Sequence, residues 1–175
     1  MEIARIGKAV EDFTTQAYEN GKFTSLKLSQ YRGKWVVLFF YPLDFTFICP
    51  TEIRGFAALA DHFTAHKAVI LAASTDSVHS HKAWFTRDLP EVKFPIIADT
   101  NHHVSRLFDV LKEEDGIAYR GTFIIDPKGI LRYSVVSDLS VGRSVQETLR
   151  VLQALQSGEL CPVEWKKGEK TLGKG

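Results

Sequence analysis

The sequence predicts an α/β fold in three layers, with a central mixed β-sheet and an N-terminal hairpin. Residues 35–41 form an apolar run rich in β-branched and aromatic side chains, bounded by Gly33 and Pro42, which is typical of a strand buried on both faces. Strand and helix patterns then alternate up to residue 108, and such alternation builds parallel strands joined by crossover helices. Turn residues on either side of this region indicate hairpins, whose antiparallel strands make the sheet mixed.

The individual elements follow from local signals taken in chain order. Asn20-Gly21, between two short alternating segments of residues 9–28, predicts the N-terminal hairpin. Apolar side chains at helical spacing predict one helix over residues 51–67. Ser144 and Glu147 form a capping box that opens the last helix. The other predicted elements are strands at 69–73 and 94–98, helices at 77–89 and 102–108, and a hairpin over 119–136.

Length and composition are typical of one globular domain with little net charge. The chain has 175 residues, 45% of them hydrophobic and 25% charged, and we predict a domain over 1–157 followed by a polar tail over 158–175. Lys and Arg number 22 against 21 Asp and Glu, which excludes the basic surface of a nucleic-acid or acidic-membrane binder. The longest apolar run is far shorter than the roughly 20 residues of a membrane span, and the N-terminus lacks a signal-peptide core. We therefore expect a cytoplasmic protein with no nucleic-acid and no membrane partner.

The cysteines and histidines indicate neither a structural disulfide nor a metal site. Cys49 and Cys161 are far apart, form no CxxC pair and are too few for a structural zinc site. A structural disulfide is disfavoured in a reducing compartment. The histidines lack the HExxH pattern, and we expect them at the surface without a metal. They are His62 and His66, His79 and His81, and His102 and His103.

Residues 41–52 carry the strongest functional signal. They join the carboxyl end of the buried strand to the next helix, where open α/β sheets bind ligands. Cys49 and Pro50 stand at the predicted helix start, so the helix dipole and the free N–H groups there favour a thiolate at Cys49. Thr46 can place a hydroxyl beside the sulfur, and Pro42 limits solvent access. The alternative is that Cys49, flanked by apolar residues, is simply a small core residue.

Several motifs together resemble the peroxiredoxin family. Pro42-x-x-x-Thr46-x-x-Cys49 is similar to its active-site pattern, and Phe-Tyr-Pro-x-Asp-Phe-Thr-Phe-x-Cys-Pro-Thr-Glu is similar to the typical two-cysteine members. The likeness covers nearly the whole chain and is nearest to the bacterial alkyl hydroperoxide reductase C type. It implies a thioredoxin-like fold and a thiol-dependent peroxidase for hydrogen peroxide and organic hydroperoxides, active in antioxidant defence and redox homeostasis. No cofactor is implied, because two sulfurs carry the electrons.

The resemblance also implies roles for the cysteines and their neighbours. Cys49 would be the peroxidatic cysteine, whose thiolate attacks the peroxide and becomes a sulfenic acid. Thr46 would orient the peroxide and Pro42 would shield the site. Cys161 would be the resolving cysteine, which attacks the sulfenic acid of the partner subunit and forms an intersubunit disulfide.

Three charged residues complete the implied site. Arg120 matches the family's active-site arginine, whose fixed charge and donors favour the thiolate and the leaving oxygen. Glu52 and Arg143 match the carboxylate and the second arginine that hold Arg120. Glu52 also suits the first turn of a helix, and a solvated surface position remains an alternative for Arg143.

The resemblance finally implies partners and leaves some questions open. A homodimer would form through the strand at 131–136, and five dimers would close into a decamer with contacts near Phe45 and Ser77. The external dithiol reductant could be a flavoprotein reductase or a thioredoxin. The sequence does not rank hydrogen peroxide against alkyl hydroperoxides as substrates.

Two other functions are alternatives to a peroxidase: a non-enzymatic holdase and a thiol–disulfide oxidoreductase that acts on proteins. The chain lacks the Gly-Gly-Leu-Gly and Tyr-Phe motifs of overoxidation-sensitive members, so we expect a robust enzyme.

Overall fold

The computed structural model describes residues 2–175 as a seven-stranded sheet between two outer layers. The main-sheet strands are β1 (Thr14–Glu19), β2 (Lys22–Lys27), β3 (Trp35–Phe40), β4 (Ala68–Ser74), β5 (Ile96–Ala98), β8 (Arg120–Ile125) and β9 (Leu131–Ser137). A separate small sheet pairs β6 (Leu111–Lys112) with β7 (Ile117–Ala118). The helices are α1 (Cys49–Ala58), α2 (Ala60–Ala65), α3 (Val78–Asp88), α4 (His103–Leu107) and α5 (Val145–Ser157), with a 3₁₀ turn at Leu28–Tyr31.

The main sheet is mixed, as predicted. Its strand order is β2-β1-β5-β4-β3-β8-β9. Strands β3, β4 and β5 run parallel, and the remaining neighbours are antiparallel. The predicted N-terminal hairpin is β1–β2, and the predicted hairpin over 119–136 is β8–β9. The outermost strands β2 and β9 form the two edges.

The central strand β3 is buried on both faces and divides the core in two. Val37 and Phe39 pack with side chains of α1, α2, α3 and α5 on one face. Val36, Leu38 and Phe40 pack on the other face with α4 and the segment that precedes β1. The three-layer α/β sandwich is therefore confirmed.

The structure corrects one predicted element and adds a second, small sheet. The predicted helix over 51–67 begins earlier, at Cys49, and breaks at Leu59, where φ −102° and ψ 6° leave the helical region. No glycine or proline marks this break, and Phe56 and Phe63 still pack together at a centroid distance of 6.1 Å, so the apolar periodicity continues through it. The sheet β6–β7 was not predicted, because strands of two residues are too short to show a pattern.

The expectation of surface histidines is wrong for His81. Its side chain is fully buried. The reason is visible in α3, where His81, Trp84 and Phe85 follow helical spacing and share the buried face. His81 is retained there by polar partners that include Asp44.

The chain continues past α5 as an ordered tail. Ser144 caps α5 by accepting a hydrogen bond from the backbone N–H of Glu147, which is one half of the predicted capping box. The Glu147 side chain binds Arg150 instead of the Ser144 backbone. Beyond Gly158 the buried Trp165 anchors the tail, since its carbonyl accepts a bond from Arg150 at 3.0 Å. None of the helices that residues 2–175 form is long and apolar enough to cross a membrane.

Candidate active site

Cys49 lies where the chain passes from the central strand into the first helix of the fold. It is the first residue of α1, and Pro50 takes the next position, where the missing proline N–H leaves no helical hydrogen bond unmade. The Cys49 side chain is fully buried within the core between the sheet and α1, and its thiol is free. Burial is what a simple core cysteine would also show, so the neighbours of the sulfur decide between the two interpretations.

The guanidinium of Arg120 contacts the sulfur. Its Nη1 lies 3.5 Å from Sγ of Cys49 and donates to Oε2 of Glu52 at 2.7 Å. Its Nε donates to the carbonyl of Leu139 at 2.7 Å. The three contacts use two nitrogens of one planar fork, Nη1 and Nε, so the guanidinium is held in a fixed orientation against the sulfur. An apolar core position offers a cysteine no such partner.

Arg143 holds the other side of the same carboxylate. Its Nε and Nη2 reach the two oxygens of Glu52 at 2.7 and 2.9 Å, and its backbone N–H adds a third bond at 2.8 Å. Nη1 donates to the carbonyl of Gly121 at 2.6 Å, and the guanidinium carbon stands 5.4 Å above the ring of Phe39. Arg143 is thus a buried ion-pair partner, and the surface alternative is excluded.

The three charged side chains form a buried group with a net charge of +1. Those of Arg120 and Arg143 are 4% exposed and that of Glu52 is 2% exposed. Burial alone would raise the pKa of Glu52, but the hydrogen bonds and charge of Arg143, followed by the charge of Arg120, lower it below the usual value. Glu52 therefore stays ionised and cancels one of the two positive charges. The remaining positive charge lies beside the sulfur of Cys49.

Thr46 and Pro42 lie in the loop between β3 and α1. Pro42 is buried, and Thr46 is half-buried. The Thr46 hydroxyl donates to the carbonyl of Leu43 at 2.9 Å, which leaves its oxygen lone pairs as acceptors. The structure thus brings Cys49, Glu52, Arg120 and Arg143 into contact, with Pro42 and Thr46 in the loop that leads to the helix.

Cys161 lies away from this group. Its sulfur is 3.8 Å from the carbonyl oxygen of Ala154 and 3.4 Å from Oγ of Ser157, both near the carboxyl end of α5. The side chain is partly exposed, and its thiol is free. It belongs to the tail that Trp165 anchors on α5.

Sequence reasoning missed one polar cluster beside the loop. Asp44 is buried and accepts hydrogen bonds from Tyr41, Ser80 and His81. Asp44 lies within the Pro42–Cys49 motif. The spacing of His81 and Trp84 along α3 indicates that the histidine shares the buried face of this helix. Among residues 2–175 no group of three His, Cys, Asp or Glu side chains is arranged to hold a metal ion.

Comparison with known proteins assigns the family. The model of the AhpC/TSA family matches residues 6–134. Peroxiredoxin prdx-2 of Caenorhabditis elegans is 53% identical, with 100% of this chain and 92% of that protein covered. The reduced 2-Cys peroxiredoxin of Plasmodium vivax superposes with a TM-score of 0.89 at 35% identity, covering 94% of this chain and 91% of that one. AhpC of Enterococcus faecalis superposes with a TM-score of 0.86 at 35% identity, covering 93% and 100%. These matches, together with the contact between the Cys49 thiol and the Arg120 guanidinium, show that the chain belongs to the AhpC/TSA family and is a peroxiredoxin, a thiol-dependent peroxidase.

Proposed function

We propose that the protein reduces hydrogen peroxide and organic hydroperoxides at Cys49, and that Cys161 of the partner subunit resolves the product. The observation that carries the proposal is the Arg120 guanidinium 3.5 Å from Sγ, held by a carboxylate that Arg143 also binds. We take residues 1–157 as the peroxidase domain and 158–175 as the tail that carries the resolving thiol. A cytoplasmic location stays a prediction of the sequence.

The first step transfers one oxygen atom to the sulfur. The Cys49 thiolate attacks the terminal peroxide oxygen, the S–O bond forms, the O–O bond breaks, and the leaving oxygen departs as water or an alcohol after it takes a proton. Thr46 accepts a hydrogen bond from the peroxide O–H, because its own proton is already donated to Leu43. Arg120 stabilises the negative charge that develops on the leaving oxygen. Pro42 keeps water from the sulfenic acid that results.

The second step forms a disulfide and releases water. The distance along α5 favours the partner's thiol over the one in the same chain. The amino end of α5 is close to the site through Arg143, whereas Cys161 contacts Ala154 and Ser157 at the carboxyl end. A helix of 13 residues is about 20 Å long. A disulfide needs Cα atoms within about 4.4–6.8 Å, so we expect the first turn of α1 to unwind and the tail to be released in each cycle.

The edge strand β9 provides the surface for dimer formation. Val135 and Val136 on this strand are 40% and 47% exposed. An unpaired edge that carries β-branched residues is stabilised by pairing with a second strand. We propose a homodimer joined along β9 and a decamer of five dimers, whose further contacts involve Phe45, 48% exposed, and the start of α3 at Ser77.

The disulfide is returned to two thiols by an external dithiol protein. A relative from Echinococcus granulosus, 49% identical over 97% of this chain, is named thioredoxin peroxidase, which supports thioredoxin as a reductant. A solved relative is named AhpC, a type for which a flavoprotein reductase is the second candidate. Stopped-flow titrations with hydrogen peroxide and an alkyl hydroperoxide, each with either reductant, rank the substrates and the reductants.

A mixture of two variants tests the intersubunit disulfide. Cys49→Ser and Cys161→Ser each lack one of the two reacting thiols, so neither forms the disulfide alone. When the two are reduced, mixed to exchange subunits and exposed to peroxide, we expect covalent dimers on a non-reducing gel. A mixture without covalent dimers, together with a monomeric band for the oxidised wild type, would place the disulfide within one chain.

A further inference from the structure

A buried hydrogen-bond cluster stands directly beside the active-site loop without taking part in the chemistry above. The carboxylate of Asp44 accepts bonds from the Tyr41 hydroxyl at 2.7 Å, the Ser80 hydroxyl at 2.8 Å and Nδ1 of His81 at 2.8 Å. The side chains of Asp44 and His81 are 1% and 0% exposed. Burial and the charge of Asp44 raise the pKa of Tyr41 well above its usual value, so Tyr41 remains a donor. The position of Asp44 is thus set from three directions.

The partners of His81 show that it shares a proton with Asp44. Nε2 lies 3.1 Å from the carbonyl oxygen of Ile97, which can only accept, so Nε2 carries a proton. Nδ1 faces a carboxylate oxygen of Asp44, and a second proton must lie between these two atoms. The pair is neutral as a unit whichever atom holds that proton, and it is therefore compatible with burial. Asp76 stands beside it and accepts the backbone N–H of Asp44 at 2.8 Å.

The residue that follows Asp44 is held in an unfavourable backbone conformation. Phe45 has φ +57°, in the left-handed region that a bulky side chain rarely adopts. Such strain persists only where the surroundings determine the conformation, and it is concentrated at functional sites. Asp44 is fixed through both its side chain and its backbone N–H immediately before Phe45. Thr46, whose hydroxyl receives the peroxide, follows immediately after it.

We infer that the buried Asp44–His81 pair positions Thr46 by holding Phe45 in its left-handed conformation. The inference rests on the proposed function, because the place of the Thr46 hydroxyl matters only if Cys49 reacts with a peroxide there. His81 is a positioning residue, since it acts through Asp44 and the backbone and does not contact the reacting atoms.

Two reactions of the same thiol test this role. Peroxide oxidation of Cys49 uses Thr46, whereas alkylation by iodoacetamide requires the thiolate alone. In His81→Asn and Asp44→Asn we expect the rate constant with hydrogen peroxide to fall at least about tenfold, the scale of loss for a displaced positioning group. The alkylation rate constant should stay within about twofold of the wild-type value. His79→Asn is the matched control, because this exposed histidine lies on α3 without contacting Asp44, and both rates should be unchanged.

The outcomes separate the inference from the proposed function. An unchanged peroxide rate in His81→Asn overturns the inference, and so does an equal fall in both rates, which indicates general damage to the site. Ser80→Ala removes one hydrogen bond to Asp44 and serves if the stronger variants do not fold, with a smaller loss again confined to the peroxide reaction. A wild-type protein that alkylates but does not consume peroxide contradicts the proposed function itself.

A double-mutant cycle tests the step through Phe45. Glycine adopts φ +57° without strain, so Phe45→Gly removes the need for an anchor. The fold-loss in peroxide rate caused by His81→Asn should then be smaller in the Phe45→Gly background than in the wild-type background. An equal fold-loss in both backgrounds overturns the inference.

Discussion

Nη1 of Arg120 lies 3.5 Å from Sγ of Cys49, so a permanent positive charge stands beside the sulfur before a peroxide arrives. The same nitrogen donates to Glu52 at 2.7 Å, which fixes the guanidinium at this distance. The site is thereby arranged in advance for the charge that appears as the O–O bond breaks, and little reorganisation is needed at that moment.

Arg120→Lys should lower the rate constant of Cys49 with hydrogen peroxide by about 100-fold, the usual loss when one donor to a developing oxyanion is removed. Lysine keeps the charge, but a single ammonium group cannot reach Glu52, the Leu139 carbonyl and the sulfur with the geometry of a planar fork. Stopped-flow measurement under single-turnover conditions gives the rate constant. Arg106→Lys is the control, because Arg106 pairs with Glu113 at an exposed position and the rate should not change. Full activity in Arg120→Lys would show that charge alone suffices.

Glu52→Gln should lower the free energy of unfolding by about 3 kcal/mol at pH 7, because two buried guanidinium groups lose their counter-charge. The pKa of Glu52 is lowered in the folded protein, so its stabilisation is complete above the ordinary carboxyl pKa of about 4.3 and is lost as the pH falls through the folded value. The difference in the free energy of unfolding between wild type and variant should therefore decrease below about pH 4. Urea unfolding at several pH values measures it, with the exposed Glu113→Gln as the control. A difference that stays constant down to the acid limit would argue against an ionised Glu52.

Val136→Glu should convert the reduced protein to monomers by placing a charge on the exposed edge β9. Sedimentation velocity of the wild type should show a species far larger than a monomer. Phe23→Glu is the matched control, since Phe23 lies on the opposite edge strand β2 with 44% exposure against 47% for Val136, and it should sediment like the wild type. A wild-type monomer at micromolar concentration under reducing conditions contradicts the dimer and the intersubunit disulfide together.

Wild-type Cys49 should resist overoxidation at millimolar peroxide, because the chain lacks both motifs that slow unwinding in sensitive members of the family. The structure has no helix after α5 among the described residues that could clamp the start of α1. Mass spectrometry of Cys49 after many turnovers should show little sulfinic acid. Cys161→Ser should trap the sulfenic acid and then overoxidise readily. Rapid accumulation of sulfinic acid in the wild type at low peroxide would show that another feature slows resolution.

The central part of the fold was predictable because its signals are local. The apolar run of β3 is buried on both faces by the two halves of the core, and the Asn20-Gly21 turn and the Ser144 cap form where their chemistry requires. The break at Leu59 carries no such signal. Its φ of −102° and ψ of 6° leave the helical region, although the apolar spacing of Phe56 and Phe63 continues across the break.

The site was predictable in one part and not in another. Residues 42–49 are contiguous, so their chemistry could be inferred from the strand-to-helix position, whereas the convergence of Arg120 and Arg143 on Glu52 joins three distant segments and was implied by family resemblance alone. The burial of His81 was missed because a histidine was assigned by residue type rather than by its helical face.

Consumption of a dithiol reductant by the purified protein, with and without hydrogen peroxide, tests the central claim most directly when wild type is compared with Cys49→Ser. We predict turnover that depends on peroxide in the wild type and none in the variant. A protein that only protects other proteins from aggregation would consume no reductant, and a protein thiol–disulfide oxidoreductase would need no peroxide. Peroxide-dependent turnover that survives in Cys49→Ser would contradict the assignment of the reaction to this sulfur.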